Sequence, residues 1–174
     1  MLFNNDSRRR ARVGVVNASV RVKVTEPSDA AVLARLLHAF NREFDVPVDD
    51  EDVLAARFGR ILREESVVAL LALDGDEAVG FALLTLRPAI WFDGPVAVLD
   101  ELYVVPERRA EGIGTAVIAQ VRAVLHDRGS PELHINVDED DVDARRFYER
   151  HGFLNVEPGS DYRMLCYIGP TVRA

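Results

Sequence analysis

Two glycines and an arginine stand between a run of β-forming residues and an apolar helical pattern, in the segment VVPERRAEGIGTA (104–116). Their spacing is Arg109-x-x-Gly112-x-Gly114. Glycine at a strand-to-helix turn leaves the backbone accessible, and the first N–H groups of a helix have no intrahelical partner and carry partial positive charge. The spacing therefore predicts a loop whose backbone binds the phosphate groups of a ligand.

Two common phosphate-binding motifs do not fit this loop. A Walker P-loop requires Gly-Lys followed by Ser or Thr, and no such sequence follows Gly114. A dinucleotide-binding fingerprint places G-x-G-x-x-G directly after the first strand, whereas this loop comes late in the chain. The ligand has to be identified from the neighbouring residues.

Hydrophobic periodicity predicts how strands and helices position this loop. Apolar and polar residues alternate or form short apolar runs in seven predicted strands, 20–24, 67–73, 78–88, 96–105, 133–137, 153–157 and 162–168. Helical spacing predicts a helix after the cap residue Ser28, a second over 53–63, a third that ends at Gly129, and a short fourth that ends at Gly152. The order predicts an α/β (α+β) protein with the glycine loop between the fourth strand and the third helix.

Length and composition limit the class of function. The 174 residues fit one domain, and a net charge of −8 disfavours a nucleic-acid partner. The sequence has neither a membrane-spanning run nor a secretory signal, so we expect a cytoplasmic protein. Its one cysteine, Cys166, excludes an internal disulfide, and the four histidines lack the spacing of metal ligands, so no metal is expected. We expect a flexible basic arm over 1–19 and a single domain over 20–174.

Three segments in this order resemble the GNAT superfamily of acetyl-CoA-dependent N-acetyltransferases, over about residues 20–168. They are the strand LDELYVVP, the loop RAEGIG, which fits [QR]-x-x-G-x-[GA], and DVDARRFYERHGF, which fits N-x-x-A-x-x-[LF]-Y-x-x-x-G-F except at its first position. The glycine loop alone is a weak signal. Its combination with Tyr148, Gly152 and Phe153 is specific, and the strand is most similar to that of the diamine acetyltransferase branch.

The resemblance implies a GNAT fold and an acetyl-CoA co-substrate. In such a fold a mixed, mostly antiparallel sheet of six to seven strands, with about four flanking helices, splays between strands four and five. Unpaired backbone at Leu102, Tyr103 and Val104 would then bind the pantetheine arm as an added strand does. The pyrophosphate would be bound by the loop backbone, with added contacts from the Arg109 side chain and the Thr115 hydroxyl; the loop residues are Ala110, Glu111, Gly112, Ile113, Gly114 and Thr115.

One position departs from the family pattern. Where the family often has asparagine before the last helix, this chain has Asp141, whose carboxylate accepts hydrogen bonds but cannot donate one to the pantetheine arm. Asp141 therefore either reaches the coenzyme, directly or through water, or serves only as the N-cap of the helix.

The chemistry implied is acetyl transfer to a primary amine in a ternary complex. An amine with a pKa near 10.4 is protonated at neutral pH, so a carboxylate must accept its proton, directly or through water. The candidates are Glu101, which we favour, and Asp100; strand alternation predicts that their side chains lie on opposite sheet faces. Tyr148 is the candidate proton donor to the departing thiolate, because a phenol stays protonated at neutral pH.

The acceptor is less well defined by the sequence. The segment EFDVPVDDED (43–52) holds six acids and no base, which predicts either an acidic rim that attracts a small cationic amine or simply a capped helix start. Trp91 and Phe92 could wall the acceptor site, pack beneath it or form a homodimer contact. A protein or peptide N-acetyltransferase and a coenzyme A sensor without turnover are the alternative functions.

Overall fold

The structure, a computed structural model, describes residues 20–156, 159–169 and 171. The predicted arm, 1–19, lies outside the described residues. A five-stranded sheet has its strands in chain order, β1 to β5, with antiparallel pairing from β1 to β4 and parallel pairing between β4 and β5. The α/β class and the mixed, mostly antiparallel sheet are therefore confirmed.

The helices and strands begin and end close to where the sequence predicts them. The strands are β1 (Val20–Val24), β2 (Val67–Asp74), β3 (Glu77–Arg87), β4 (Val96–Val104) and β5 (Leu133–Ile135). Within the described ranges the helices are α1 (Ala30–Glu43), α2 (Glu51–Ile61), α3 (Ile113–Asp127) and α4 (Val142–Arg150), in agreement with the expectation of about four.

The sheet separates two hydrophobic cores, because successive residues of a strand point to opposite faces. On β2, Leu70 packs with the α3 side, whereas Leu71 packs with the α1–α2 side. The α3-side core also takes in Phe147 and Tyr148 of α4. Burial of both faces explains why β2 and β3 are nearly continuous apolar runs rather than alternating ones.

The described sheet has five strands, so the expectation of six to seven is too high. The predicted hairpin of 153–157 and 162–168 is represented, in the part of it that the structure describes, by one bridge between Val156 and Arg163. Apolar alternation marks a segment that can pair, but pairing also needs an adjacent strand edge. Strand β5 is only three residues long and offers little edge on which further strands could assemble.

Strand β4 divides into two halves at Leu99. Its first half pairs with β5 through Ala97, Val98 and Leu99, opposite Leu133, His134 and Ile135. Beyond Leu99, β4 continues to Val104 along β3, but no described strand pairs with its other edge. The splay between the fourth and fifth strands is thus confirmed. The unpaired stretch of β4 leads directly into the segment that contains the glycine loop.

Candidate active site

The open half of β4 presents backbone groups to the gap between the strands. The Val105 N–H donates to Val79 O of β3 at 3.0 Å, and Tyr103 O also lies on the β3 side, against Gly80. Because the N–H and C=O groups of one peptide point in opposite directions, Leu102 and Val104 direct both of their backbone groups away from β3. The predicted pantetheine-binding edge is therefore available at Leu102. It is only partly available at Val104, because Val104 O accepts a hydrogen bond from Arg109 Nε.

A β-bulge marks the boundary between the two halves. Leu84 faces Leu99 and Leu83 faces Glu101, so Asp100 is an extra residue on β4. An extra residue reverses the faces of everything that follows it. Ala97 and Leu99 accordingly pack in the α3-side core, whereas Tyr103 packs in the α1–α2 core.

The bulge overturns one expectation about the carboxylates. Asp100 hydrogen-bonds to the side chain and backbone of Thr85, while Glu101 lies opposite Leu83, two residues from Thr85 and on the same face. The two side chains were expected on opposite faces, but they share the α1–α2 face. Strict alternation fails here because the sequence gives no sign of the extra residue in the pairing with β3.

Their environment raises the pKa of both carboxyl groups. Loss of hydration raises the pKa of Asp100, although its hydrogen bonds with Thr85 work in the opposite direction. Burial raises the pKa of Glu101, and repulsion from the neighbouring Asp100 carboxylate adds to this effect. A half-buried carboxylate with a raised pKa is a better proton acceptor than an ordinary glutamate.

Tyr148 lies on α4 and packs against the α3-side core. Its ring packs edge-on against Phe147 and Phe153, with ring centroids 5.2 and 6.0 Å away. Burial raises the pKa of Tyr148 to about 12, with further contributions from the charges of Asp141 and Glu101. The phenol therefore keeps its proton throughout the neutral and moderately alkaline range, and it lies within electrostatic reach of Glu101.

The glycine loop contains two residues in the left-handed region of backbone conformation. Gly112 is the N-cap of α3 with φ of 84°, and Ala110 also has a positive φ of 62°. Gly112 has no side chain that could cap the helix terminus, and the first N–H groups of a helix have no intrahelical partner. A Cβ on Gly114 would lie 3.2 Å from the Phe147 ring, so the glycine here permits α4 to pack against the loop.

Four other predicted coenzyme-site residues are already engaged within the protein. The Thr115 hydroxyl lies 3.1 Å from Nε2 of His151, whose Nδ1 donates to Phe147 O at 2.7 Å. This fixes the histidine tautomer, so that Thr115 donates to Nε2 when the imidazole is neutral. Ile113 is buried in the α3-side core, and the remaining two, Glu111 and Asp141, accept from Arg108 Nε and Ala144 N respectively, each at 2.9 Å. Asp141 therefore has the N-cap role that was one of its two alternatives.

Arg109 points towards α1. Its Nη1 and Nη2 donate to the two oxygens of Glu43 at 2.6 and 2.7 Å, and its Nε donates to Val104 O at 3.0 Å. The guanidinium also lies 5.7 Å from the Tyr103 ring centroid. The predicted contribution of Arg109 to pyrophosphate binding stays a prediction.

The acidic segment lies in the loop between α1 and α2 and at the start of α2. Asp49 forms an exposed ion pair with Arg57 at 2.6 Å, and Asp50 occupies the N-cap position without a side-chain capping bond. The loop follows Glu43 directly, so its first residues lie close to the end of β4. Trp91 is 86% exposed in the loop before β4, at the end of the strand remote from Val104.

Among the described residues, no three or more His, Cys, Asp or Glu side chains come together as a metal-binding group. None of the helices in the described ranges is long and apolar enough to cross a membrane.

Sequence reasoning missed two contacts at the site. Glu43 meets Arg109 across 66 residues of sequence, and no local motif indicates such a contact. His151 stands inside the matched segment FYERHGF, and its polarity beside the apolar face of α4 was the available signal.

These features agree with the comparison with known families. The model of the acetyltransferase (GNAT) family matches residues 33–153. That range covers most of α1 and all of α2, the bulged strand β4, the glycine loop and Tyr148. The chain belongs to this family and is a GNAT-type N-acetyltransferase.

The chain is also similar to relatives with named activities. The chain is 30% identical to an aminoglycoside N(6')-acetyltransferase type 1 of Stenotrophomonas maltophilia, over 86% of this chain and 96% of the relative. It is 25% identical to a thialysine N-epsilon-acetyltransferase of Mus musculus, over 90% and 96% of the two chains.

Solved structures share the fold. A crystal structure of a protein from Arthrobacter sp. FB24 is 46% identical, with a TM-score of 0.80, over 86% of this chain and 95% of that one. An aminoglycoside acetyltransferase from an uncultured soil sample, in complex with sisomicin, has a TM-score of 0.74 at 16% identity, over 89% and 98% of the two chains, and so supports the fold alone.

Proposed function

We propose that the protein transfers an acetyl group from acetyl-CoA to the primary amine of a small cationic molecule, by direct transfer in a ternary complex. The observation that carries the proposal is the position of Tyr148 and Glu101. The Glu101 charge contributes to the raised pKa of Tyr148, so a half-buried carboxylate on the bulged half of β4 and a phenol on α4 lie within electrostatic reach of each other. A proton acceptor and a proton donor are both needed when an amine displaces a thiolate.

Acetyl-CoA fits the groups that the chain presents. We propose that its pantetheine arm bonds to the free edge of β4 at Leu102 and Val104, passing the backbone of Tyr103. The pyrophosphate would occupy the α3 N-terminus, where the backbone from Ala110 to Thr115 is shaped by positive φ angles at Ala110 and Gly112. Arg109, next to this loop, and Asp141, near Tyr148, complete the proposed coenzyme site.

Glu101 is the proposed proton acceptor. The alternatives are that Asp100 or a water molecule accepts the proton of the amine. An ammonium group with a lysine-like pKa near 10.4 opposes attack at pH 7 by roughly 4–5 kcal/mol, at about 1.36 kcal/mol for each pH unit. The raised pKa of Glu101 brings its basicity closer to that of the amine. The amine nitrogen then forms a bond to the thioester carbonyl carbon while its proton passes to the carboxylate.

Tyr148 is the proposed proton donor. When the carbon–sulfur bond breaks, the sulfur leaves with the electron pair, and the phenol supplies the proton that makes the free thiol. With a pKa of about 12, the phenol is fully protonated before this step. The exposed thiol of Cys166 is given no role, because direct transfer needs no acetyl-enzyme.

A small cationic acceptor is supported by charge and by relatives. The loop after α1 carries Asp45, Asp49 and Asp50 and begins beside Arg109 at the end of β4, and relatives are named for the acetylation of aminoglycosides and thialysine. We further propose one domain over 20–174. A cytoplasmic location and a homodimer remain predictions from the sequence.

An amine panel tests the proposal. Purified protein with acetyl-CoA is offered spermidine, thialysine, an aminoglycoside, and a peptide with a free N-terminus, and thiol release and acetylated product are measured. Acetylation of a small cation supports the proposal. Acetylation of the peptide alone would make the protein a peptide N-acetyltransferase, and coenzyme binding without any product would make it a sensor.

The variant Tyr148→Phe sharpens the same assay. Loss of a general acid typically lowers the rate by about 10²–10⁴-fold, so kcat should fall while the calorimetric Kd for acetyl-CoA stays the same. Wild-type turnover would give Tyr148 a packing role against Phe147 and Phe153. Cys166→Ser serves as the matched control and should keep full activity.

A further inference from the structure

Both arginines of the glycine loop are occupied by carboxylates. Arg108 pairs with Asp74 and Glu111, each at 2.9 Å, while Arg109 pairs with both oxygens of Glu43. The Glu43 side chain is only 26% exposed, and it also hydrogen-bonds to the hydroxyl of Tyr103. Anion binding at this loop is therefore left to backbone N–H groups, and the Arg109 guanidinium serves a different role.

The third contact of Arg109 shows what that role is. Its Nε donates to Val104 O, one of the backbone groups that β4 directs into the open gap. With that acceptor taken, the edge still offers the N–H and C=O of Leu102 and the N–H of Val104. Arg109 thus ends the free edge of β4 at a fixed point, one residue before the chain turns into the loop.

Glu43 holds Arg109 in this position from the opposite side. A bidentate guanidinium–carboxylate pair fixes the plane of the guanidinium as well as its distance. The guanidinium also lies over Tyr103, whose ring is 4% exposed and packs against Phe40 of α1 with centroids 5.1 Å apart. The last turn of α1, the end of β4 and the start of the loop are therefore joined through a single side chain.

We propose that Glu43 and Arg109 form an edge clamp, a pair of positioning residues that sets where the pantetheine arm can bond to β4, and that Arg109 is not a phosphate ligand. This inference rests on the proposed function, since it concerns the donor side of the same reaction. The clamp acts on the part of the donor that reaches Val104, about 10 Å along the strand from Glu101.

Three donors of decreasing length separate the possible roles. Acetyl-CoA carries the whole arm and the pyrophosphate, S-acetylpantetheine lacks the pyrophosphate, and S-acetyl-N-acetylcysteamine ends before the region of Val104. Kinetics with each donor are compared for wild type and Glu43→Ala, using an acceptor found in the amine panel. Glu64→Ala, at an exposed carboxylate after α2, is the matched control.

The clamp predicts that Glu43→Ala raises KM for acetyl-CoA and for S-acetylpantetheine by the same factor, about tenfold, with kcat unchanged and the shortest donor unaffected. Glu43→Gln should give a smaller increase, since one amide oxygen can still accept from Arg109. An effect on acetyl-CoA alone would overturn the proposal and make Arg109 a phosphate ligand. An equal increase in KM for all three donors would also overturn the proposal, because it would show that Glu43 has only a general structural role.

Failure of the proposed function has a different signature. If the wild-type protein transfers acetyl from no donor to any amine, the clamp is measured by calorimetry with coenzyme A and pantetheine. Equal weakening of both ligands by Glu43→Ala supports the clamp without turnover. Weakening of coenzyme A alone, or of neither ligand, overturns it.

Discussion

The two halves of β4 pair with the same strand, β3, yet only the second half carries the candidate site. From Val96 to Leu99 the strand is hydrogen-bonded on both edges, and its side chains follow strict alternation. From Asp100 to Val104 one edge is free and the alternation is reversed by the bulge. The first half contributes stability, while the second presents backbone groups and carboxylates that a fully paired strand would hide.

The comparison also shows why the candidate residues meet where they do. The bulge turns Glu101 and Tyr103 to the α1–α2 face and turns Leu102 and Val104 to the face of α3 and α4. Tyr148 comes from that second face. A gap between β4 and β5 is thus the place where groups from both sides of the sheet approach each other.

The largest expected effect is on the carboxylates at the boundary between the halves. Glu101→Gln should lower kcat/KM for the amine by about 10²–10⁴-fold, because the proton acceptor is removed while the side-chain volume is kept. Asp100→Asn is the matched variant on the same face and should lose much less. The reverse order in steady-state kinetics would assign the proton transfer to Asp100.

A smaller effect is expected where the open half leads into the loop. Gly112→Ala places a Cβ on a residue with φ of 84° and costs about 1–2 kcal/mol, so acetyl-CoA affinity should fall roughly tenfold as the loop shifts. Gly129→Ala introduces a comparable strain at φ of 67°, at the other end of α3. Calorimetry should find normal affinity for the second variant, and equal losses in both would mean that helix stability is what matters.

Substitutions in the acidic loop should change the kinetics for the amine less than substitutions in β4. Neutralising Asp49, Asp50 and Asp52 together should raise KM for a cationic amine by about threefold at low salt, and the effect should shrink near physiological ionic strength, where charges are screened beyond about 8 Å. Coenzyme affinity should not change. A KM indifferent to both the substitutions and salt would favour the plain helix-start interpretation of these acids.

The smallest predicted effect is on stability, and it has a definite pH dependence. Because burial raises the pKa of Glu101 above its ordinary 4.5, the folded protein holds this proton longer than the unfolded chain. Unfolding free energy therefore decreases as pH rises from about 4.5 through the folded pKa. Glu101→Gln should melt on the order of 2 °C higher than wild type at pH 7, a difference that disappears near pH 4. A lower melting temperature at pH 7 would contradict the unfavourable burial of this charge.

Much of the fold was predictable because its signals are local. The apolar runs of β2 and β3, the helical spacing of α1 and α3, and the glycine at the start of α3 each follow from neighbouring residues. The glycine loop and the Tyr148 segment also identified the family, because their spacing reflects backbone conformation and helix geometry. The final hairpin, 153–168, was overpredicted, because alternation does not provide a partner strand.

The sequence by itself determined which residue types are present for chemistry: two adjacent carboxylates, a phenol and a glycine-rich helix start, in an order characteristic of the family. Only the tertiary structure decided that Asp100 and Glu101 share a face and that Glu43 holds Arg109. The first depends on how β4 registers against β3, and the second on how α1 packs across the sheet. Such contacts join residues far apart in the chain, and no local pattern encodes the alignment of one strand or helix against another.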